Sequence, residues 1–590
     1  MMKRIGETIK RWYGNDRARW LFSLVCALLI IGIASRLSTL TFYDNDDLNI
    51  AWALAGYRSG APSFAHPFIN CLMAIFTSAL YTVLPQLPWW LILQLLASVA
   101  GMTAVFAAIL KIGNKHGVPL LFAFALMGAL GAGLFYYGIV LVTFTLSAAA
   151  AGAGAVALAL AADAADEKKT RRGYLIGSAV LLAVSLLVRN SSGLAAACFA
   201  VGALVYRAAE SKVNGEHAFA KQLLLFFAVS VALTSVLVGI NAYGREAQNP
   251  EGFVAYDEAR SAYMDYPHDT YAANPALYEK AGWDETLSAL TSNWFYMDER
   301  VTTDAFRTIT DGSAFAGESR LKNLASGVAG FRAFFQLYPL AIHYGVLALA
   351  AYATVLVLFL TNRKRWTVLV GAGAFLLGTL VLISYLISTG RVNLRVWMTV
   401  CILSGASGWL CALRLMKPAA ETERKSLRFV RLAALGLALL VSLGFGYKVF
   451  RTVISYESET PGMLSRAQAV VSYAQEHPKN VYIRDVYAAN NVDALSVYAD
   501  DPPVNLIDWG GCDMNTVTRM RQLEVNGLES IFAKDLFRLE NVYYVTDTEG
   551  TCLPLFAEYM QTHCGASGYE ITDTIVDSVA VVHFTFEGAQ

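Results

Sequence analysis

WLFSLVCALLIIGIASRLSTLTFYDNDDLN, residues 20–49, changes character part-way along. From Trp20 to Thr41 the only charge is Arg36. A helix needs about 20 mostly apolar residues to cross the hydrocarbon core, because lipid offers its backbone no hydrogen-bond partners. Directly after this run the chain turns acidic, with Asp44, Asp46 and Asp47 in four positions. The stretch therefore reads as a first membrane span that empties into a carboxylate-rich connection. Ten further runs of spanning length fall near 88–111, 118–136, 139–162, 174–189, 192–208, 220–241, 337–361, 366–388, 393–416 and 428–450. With 56% hydrophobic and 16% charged residues and a mean hydropathy of +0.45, against about 25% charged in soluble proteins, a soluble or disordered chain is excluded.

Charge sets the topology. Lys+Arg and Asp+Glu both total 46, and the neutral sum conceals a strong asymmetry. Cytoplasmic loops carry an excess of Lys and Arg, and 23 of the basic residues fall in six clusters at 1–19, 111–115, 168–172, 207–221, 363–365 and 414–428. All six lie inside if the N-terminus is inside and eleven spans cross. A twelfth apolar stretch, 68–84 between Pro67 and Pro85, must then lie at the outer surface. Segments 42–87, 243–336 and 451–590 fall outside, the second with 14 acidic and 8 basic residues and the third with 20 and 8. The first apolar run is about as long as a full span and has no small-residue cleavage site after it, so no cleavable signal peptide is expected. The expected protein is mainly α: a multi-pass bundle of the cytoplasmic membrane with outer surface helices and an extracytoplasmic C-terminal α/β domain. Its parts are a core at 1–242, an outer helical segment at 243–336, further spans at 337–450 and the C-terminal domain at 451–590.

The acidic connection admits two readings. Asp or Asn ahead of an apolar run caps a helix by accepting from orphan amides. Three carboxylates exceed what one cap requires, and Arg58, His66 and Gly60-Ala61-Pro62 follow closely. A carboxylate here can deprotonate an incoming hydroxyl or hold a divalent cation. The chain at this point resembles the GT-C superfamily of polytopic membrane glycosyltransferases, in which an Asp or Asp-Asp pair just beyond the first span serves catalysis and flat surface helices follow. The resemblance makes Asp44, Asp46 and Asp47 the catalytic candidates. It departs at the next outer turn, read as Phe135-Tyr136-Tyr137-Gly138, where metal-using members carry a second acid. A metal-independent base is the expectation, and no cofactor is called for.

Four arginines sit against the positive-inside bias at the outer ends of spans: Arg36, Arg189, Arg391 and Arg395. Each alone is explained by snorkelling of a long side chain to the interface. Two of the places are polar tips, Arg189-Asn190-Ser191-Ser192-Gly193 and Gly390-Arg391-Val392-Asn393-Leu394-Arg395. A guanidinium presents a fixed fork of donors that suits phosphate. The resemblance implies a polyprenyl-phosphate sugar donor whose phosphate an arginine of a late span holds, so Arg391 and Arg395 are the leading candidates, with Arg189 and Arg58 beside them. His66, Asn190, Asn393, Tyr256 and Trp294 are the candidate substrate-binding side chains, and no metal ligands are assigned.

Segment 243–336 interleaves rings and acids, as in Tyr256-Asp257-Glu258-Ala259-Arg260 and Asn293-Trp294-Phe295-Tyr296. It reads as a helical cap packed on the bundle, with sugar recognition compatible. Segment 451–590 alternates strand-like runs at 480–484, 504–508, 541–545 and 579–584 with helical ones. Its Gly510-Gly511 lacks the spacing of a nucleotide loop. Eight cysteines show no CxxC, which argues against a zinc or iron–sulfur site, and a Cys552–Cys564 disulfide is admitted by the oxidising side. The expected function is transfer of a sugar from the lipid-phosphate donor to a surface glycan, lipid or glycopolymer. The partners are that donor, that acceptor and membrane lipid, with no nucleic acid. A transporter or flippase is the first alternative, though no internal repeat or mid-span ionisable cluster supports it; a non-catalytic envelope assembly factor is the second. The topology predicts that a cysteine placed at Thr270 reacts with an impermeant maleimide in intact cells; protection of that position inverts the scheme.

Overall fold

The computed structural model describes residues 13–43, 45–316, 320–390, 392–416, 425–457, 460–488, 494 and 502–587. The chain begins with α1 (Asp16–Leu37), β1 (Thr41–Phe42) and two short helices, α2 (Asn45–Ala55) and α3 (Cys71–Val83). Long helices follow: α4 (Trp89–Lys115), α5 (Leu120–Val140), then β2 (Leu141–Val142), α6 (Phe144–Ala161), α7 (Lys168–Val188), α8 (Asn190–Val213) and α9 (His217–Ala247). Next come α10 (Phe253–Asp265), α11 (Pro275–Lys280), α12 (Glu285–Ser292), α13 (Thr303–Gly312) and α14 (Arg320–Leu337). The bundle resumes with α15 (Pro339–Thr361), α16 (Trp366–Ser388), α17 (Leu394–Leu415) and α18 (Lys425–Glu457). The chain then forms α19 (Thr460–Glu476), β3 (Val481–Arg484), β4 (Leu506–Asp508), α20 (Val517–Val525), α21 (Ala533–Leu536), β5 (Val542–Asp547), α22 (Cys552–Cys564), β6 (Ala566–Val576) and β7 (Val579–Phe586).

Among the described residues, eleven helices are long and apolar enough to span a membrane, and α3, at 13 residues, is not one of them. The protein is a multi-pass membrane protein with the mainly α architecture read from the sequence. One boundary moves. The turn expected at Phe135–Gly138 is still helical, carried on by a π turn at Gly131–Phe135, and the chain reverses only at Leu141-Val142-Thr143. There β2 pairs in parallel with β1, Thr41 opposite Leu141 and Phe42 opposite Val142. That register ties the entry to the acidic connection to the start of α6.

Helix α6 is buried along its whole length. Its run of Ala and Gly lets neighbours approach on every side, which is how helices pack where no hydrophobic force separates helix from solvent. The tightest approach is to α4, where a Cβ on Gly101 would stand 2.1 Å from the Ala150 carbonyl oxygen. At the bundle end away from the long segments, basic residues are tied into ion pairs and carbonyl contacts. Lys111 meets Asp166 at 2.5 Å, Arg414 meets Glu210 at 2.5 Å, and Arg365 donates to the Arg414 carbonyl at 2.8 Å.

At the other end stands a five-stranded sheet of order β4-β3-β5-β7-β6. Strands β4, β3 and β5 run parallel, while β7 is antiparallel to both β5 and β6. Alternation sends Val481, Ile483, Ile507 and Tyr544 to one face, where they join Tyr263, Trp283 and Phe306 of the 243–336 segment. Tyr482, Leu506, Val545 and Val581 point the other way, into a core with Leu48, Ile50 and Trp52 of α2. Segments 243–336 and 451–590 thus share one core, and the sheet is the layer between it and the bundle. Strand β6, absent from the sequence reading, is a polar edge with most side chains exposed, so it lacks the apolar alternation that marks a half-buried strand. The proposed disulfide does not form: Cys552 and Cys564 are free and stand at opposite ends of α22, about 18 Å apart at 1.5 Å per residue, when a disulfide needs Cα atoms within about 7 Å.

Replacing Gly101 by Val drives a side chain into the α6 backbone and should cost about 3 kcal/mol or more. The variant should lose monodisperse folded protein on size-exclusion chromatography, whereas Gly128→Val, where a Cβ meets nothing within 4 Å, should behave as wild type.

Candidate functional site

Asp46 and Asp47 both sit in the first turn of α2. Neighbours on a helix point about 100° apart, and the two carboxylates meet different surroundings. Asp47 is fully buried. Its Oδ1 accepts from Trp90 Nε1 at 3.2 Å, Gln94 Nε2 at 2.9 Å and the Phe144 amide at 3.2 Å. It thereby joins α2 to α4 and to the first residue of α6. Asp46 instead faces α17, where Arg395 donates from both Nη1 and Nη2 to its Oδ2 at 3.1 Å. This pair keeps side-chain exposures of 29% for Asp46 and 15% for Arg395, so solvent reaches it.

What reaches the pair is a cavity of about 880 Å³ between the bundle end and the outer layer. The span ends contribute Arg189, Asn190, Ser191, Asn241, Arg245, Asn393 and Arg395; α2 contributes Asp46 and Asn49. Helix α10 presents Asp257, Arg260, Ser261, Met264 and Asp265, and the outer layer adds Trp294, Tyr487, Asp508, Gly510, Gly511 and Cys512. Arg189, in extended backbone between α7 and α8, donates to Thr145 Oγ1 at 2.8 Å and to Ser191 Oγ at 3.0 Å, with its guanidinium 4.2 Å from the Phe144 ring centre. Asn393 caps α17 by accepting from the Arg395 amide at 3.0 Å. Asn190 Oδ1 accepts from Asn70 Nδ2 at 3.3 Å. On α10, Asp257 receives Arg245 at 2.8 Å and Arg260 at 2.5 Å.

Behind this wall lies a buried ionic cluster. Arg58, 1% exposed, donates to Asn49 and to Asp508 Oδ2 at 2.6 Å, and lies 3.8 Å from Asp513. Arg484 takes the other Asp508 oxygen at 2.7 Å, and Arg519 takes Asp513 at 3.1 Å. Burial pushes the Asp508 carboxyl up, but Arg484 and Arg58 outweigh it and hold it well below the ordinary carboxylate range. Asp513 is likewise lowered: burial raises it, and Arg519 and Arg58 overcome that. Burial pushes the Cys512 thiol far up, reinforced by Asp513 and Asp46. Among the described residues no three His, Cys, Asp or Glu side chains converge as a cation site would require.

Of the residues singled out in the sequence, the structure brings Asp46, Arg395, Arg189, Asn190, Asn393 and Trp294 to one cavity. Asp47, Arg58, His66 and Tyr256 lie behind its walls, and Arg36 lines an apolar groove on α1 elsewhere. Asp44 and Arg391 fall outside the described residues. Sequence reasoning missed the α10 face. Asp257, Arg260, Ser261, Met264 and Asp265 follow i, i+3, i+4, i+7, i+8, while Tyr256, Ala259 and Tyr263 face the outer core. That spacing marks one face of a helix and was available in the sequence. Asp508 and Gly510–Cys512 carried no such signal, since they reach the cavity only through the sheet.

No family model and no curated protein sequence matches this chain. Among solved structures it is similar to ArnT from Cupriavidus metallidurans, in a crystal structure bound to undecaprenyl phosphate, with a TM-score of 0.39 and 12% identity over 97% of this chain and 98% of that one. It is similar also to the same protein in the apo state, with a TM-score of 0.39 and 14% identity over 96% and 98%.

His66 gives the site layer a pH signature. Its Nδ1 accepts from the Phe68 amide at 3.4 Å, and burial, only partly offset by Asp513 and Asp46, lowers its pKa from 6.5 to about 4. The unfolded chain binds the proton that the folded one refuses, so this contribution is whole above about pH 6.5 and lost as pH falls toward 4. Melts from pH 7 to 4.5 should show His66→Gln losing less stability than wild type, by roughly 2 kcal/mol; equal slopes would show that His66 keeps an ordinary pKa.

Proposed function

We propose that the chain is a membrane glycosyltransferase that moves a sugar from a polyprenyl-phosphate donor to an acceptor hydroxyl on the outer side of the cytoplasmic membrane. The observation that carries this reading is the Asp46–Arg395 pair, solvent-reached and set in a large cavity at the level of the span ends. A lipid-linked phosphate enters at this depth with its tail in the bilayer, and Arg395 and Arg189 line the wall there. Arg391, on the same connection, is a further candidate. The position at the bundle end, rather than half-way along the spans where transporters place their sites, supports an enzyme.

In the resting pair, Arg395 and Asp46 satisfy one another. An arriving phosphate is a better partner for the guanidinium fork, so Arg395 passes from carboxylate to phosphate and leaves Asp46 as a base. Asp46 then takes the proton of the acceptor hydroxyl, whose oxygen attacks the anomeric carbon. The bond from that carbon to the phosphate oxygen breaks, and the electron pair leaves on the phosphate, where Arg395 and Arg189 oppose the new charge. A single displacement inverts the anomeric centre. Asp47, with its three donors, holds α2 so that Asp46 points at the cavity.

In proteoliposomes with polyprenyl-phosphate sugar donors, Asp46→Asn should lower turnover by about 100-fold or more, with Asp44→Asn far less affected. Full activity in Asp46→Asn overturns the assignment of the base. The second outer turn, Leu141-Val142-Thr143, supplies no carboxylate, so EDTA should leave turnover unchanged, and a loss restored by Mg²⁺ or Mn²⁺ would establish a metal step.

A further inference from the structure

The cavity has two chemically different walls. Span ends build one and supply the cations Arg189 and Arg395. The polar stripe of α10, with Trp294, builds the other. From Asp257 to Asp265 that stripe runs about 12 Å, longer than a single sugar ring, and presents in order a carboxylate, the Arg260 guanidinium, the Ser261 hydroxyl, the Met264 thioether and a second carboxylate. Ser261 Oγ donates to Asp265 Oδ2 at 2.5 Å, and Arg260 Cζ lies 5.9 Å from the centre of the Trp294 indole.

Trp294 is held at φ +67°, a left-handed conformation that a bulky residue adopts at a cost of about 1–3 kcal/mol when its surroundings impose it. The surroundings here are explicit. Gly510 packs so closely that a Cβ on it would stand 1.5 Å from the Trp294 carbonyl oxygen, and the Tyr296 backbone amide donates to the Trp509 carbonyl at 3.2 Å. Next to it, Tyr487 donates from its hydroxyl to Asn293 Oδ1 at 2.9 Å. Two separate outer segments thus cooperate to place one indole on the cavity wall. Unlike Trp283 and Trp509, which are fully buried in the outer core, Trp294 packs against it only in part and also lines the cavity.

We propose that this wall is the acceptor subsite and that the acceptor is a glycan of at least two rings. One ring stacks its apolar face on Trp294 while hydroxyls of the next bond to Asp265, Ser261 and Arg260. This rests on reading the cavity as a glycosyltransferase site, and it narrows the acceptor from any surface hydroxyl to an oligosaccharide. The span-end wall keeps the lipid phosphate, so the two subsites respond to different variants.

Two measurements on the full chain in lipid nanodiscs separate the readings. A printed array of defined oligosaccharides of one to four rings reports glycan retention, and thermal stabilisation by undecaprenyl phosphate reports the donor wall. Trp294→Asn keeps a side chain that tolerates a left-handed backbone and removes the indole. It should lower glycan retention tenfold or more with undecaprenyl phosphate stabilisation unchanged, and Asp265→Asn should weaken the same glycans. Wild-type retention should begin at two rings. Retention of no glycan, or equal retention by wild type and Trp294→Asn, overturns the acceptor subsite. Absence of stabilisation by undecaprenyl phosphate in wild type and Arg395→Gln alike counts against the donor reading and leaves the glycan result to stand or fall on its own.

Discussion

Arg58 ties the membrane bundle to the outer layer through buried charge. Its guanidinium, almost wholly withdrawn from solvent, reaches from the end of α2 to Asp508 at the end of β4 and toward Asp513 beyond it. A buried ion pair is weak evidence for net stability, because desolvating two charges offsets most of their attraction. Its geometry is another matter: removing one partner leaves a buried charge uncompensated, at about 3–5 kcal/mol. Here the remaining charges are shared, with Arg484 on the second oxygen of Asp508 and Arg519 on Asp513. Moving α2 relative to the sheet would disturb the whole set. The helix that carries Asp46 is therefore fixed at both ends, by Asp47 to the bundle and by Arg58 to the sheet.

That double attachment explains why adjacent aspartates differ in kind. Asp47 accepts three hydrogen bonds from two elements of the bundle and never meets solvent. Asp46 meets the Arg395 guanidinium in a cavity. Nothing in the residue types distinguishes them, since both are aspartates in one helical turn; the distinction comes from the direction in which each leaves the helix and from what stands there. A sequence can announce that carboxylates cluster at the mouth of a bundle, but their division into one that holds and one that faces the cavity is a property of the packing.

Legibility follows the same line. The spans were readable because lipid imposes one simple requirement on a segment, and residues 68–84 were separable from them because charge on both sides had to balance a parity. The site was most readable at span ends and just beyond the first span, where Asp46, Arg189 and Arg395 are conspicuous as charges in apolar company. Arg58 and His66 look equally conspicuous, yet they serve burial, because the sheet that covers them comes from residues more than 400 positions later in the chain. The polar face of α10 was written in helical spacing and hidden by the abundance of rings and acids around it. Strand β6 was hidden for the opposite reason, as an edge whose polar side chains ask for no core.

The two ion pairs of the site layer carry the remaining argument. Arg58–Asp508 and Arg395–Asp46 join the same types of group, but the first has side-chain exposures of 1% and 15% and the second of 15% and 29%. Coulomb attraction in a dry, hydrogen-bonded setting is several times stronger than in one that water reaches, so a diffusing anion cannot displace the first pair and can compete for the second. In the mechanism we propose, Arg395 and Asp46 cancel until a phosphate arrives, and the exchange that binds it is the same event that uncovers the carboxylate. The rigid pair behind the wall is what keeps the exchangeable one in register.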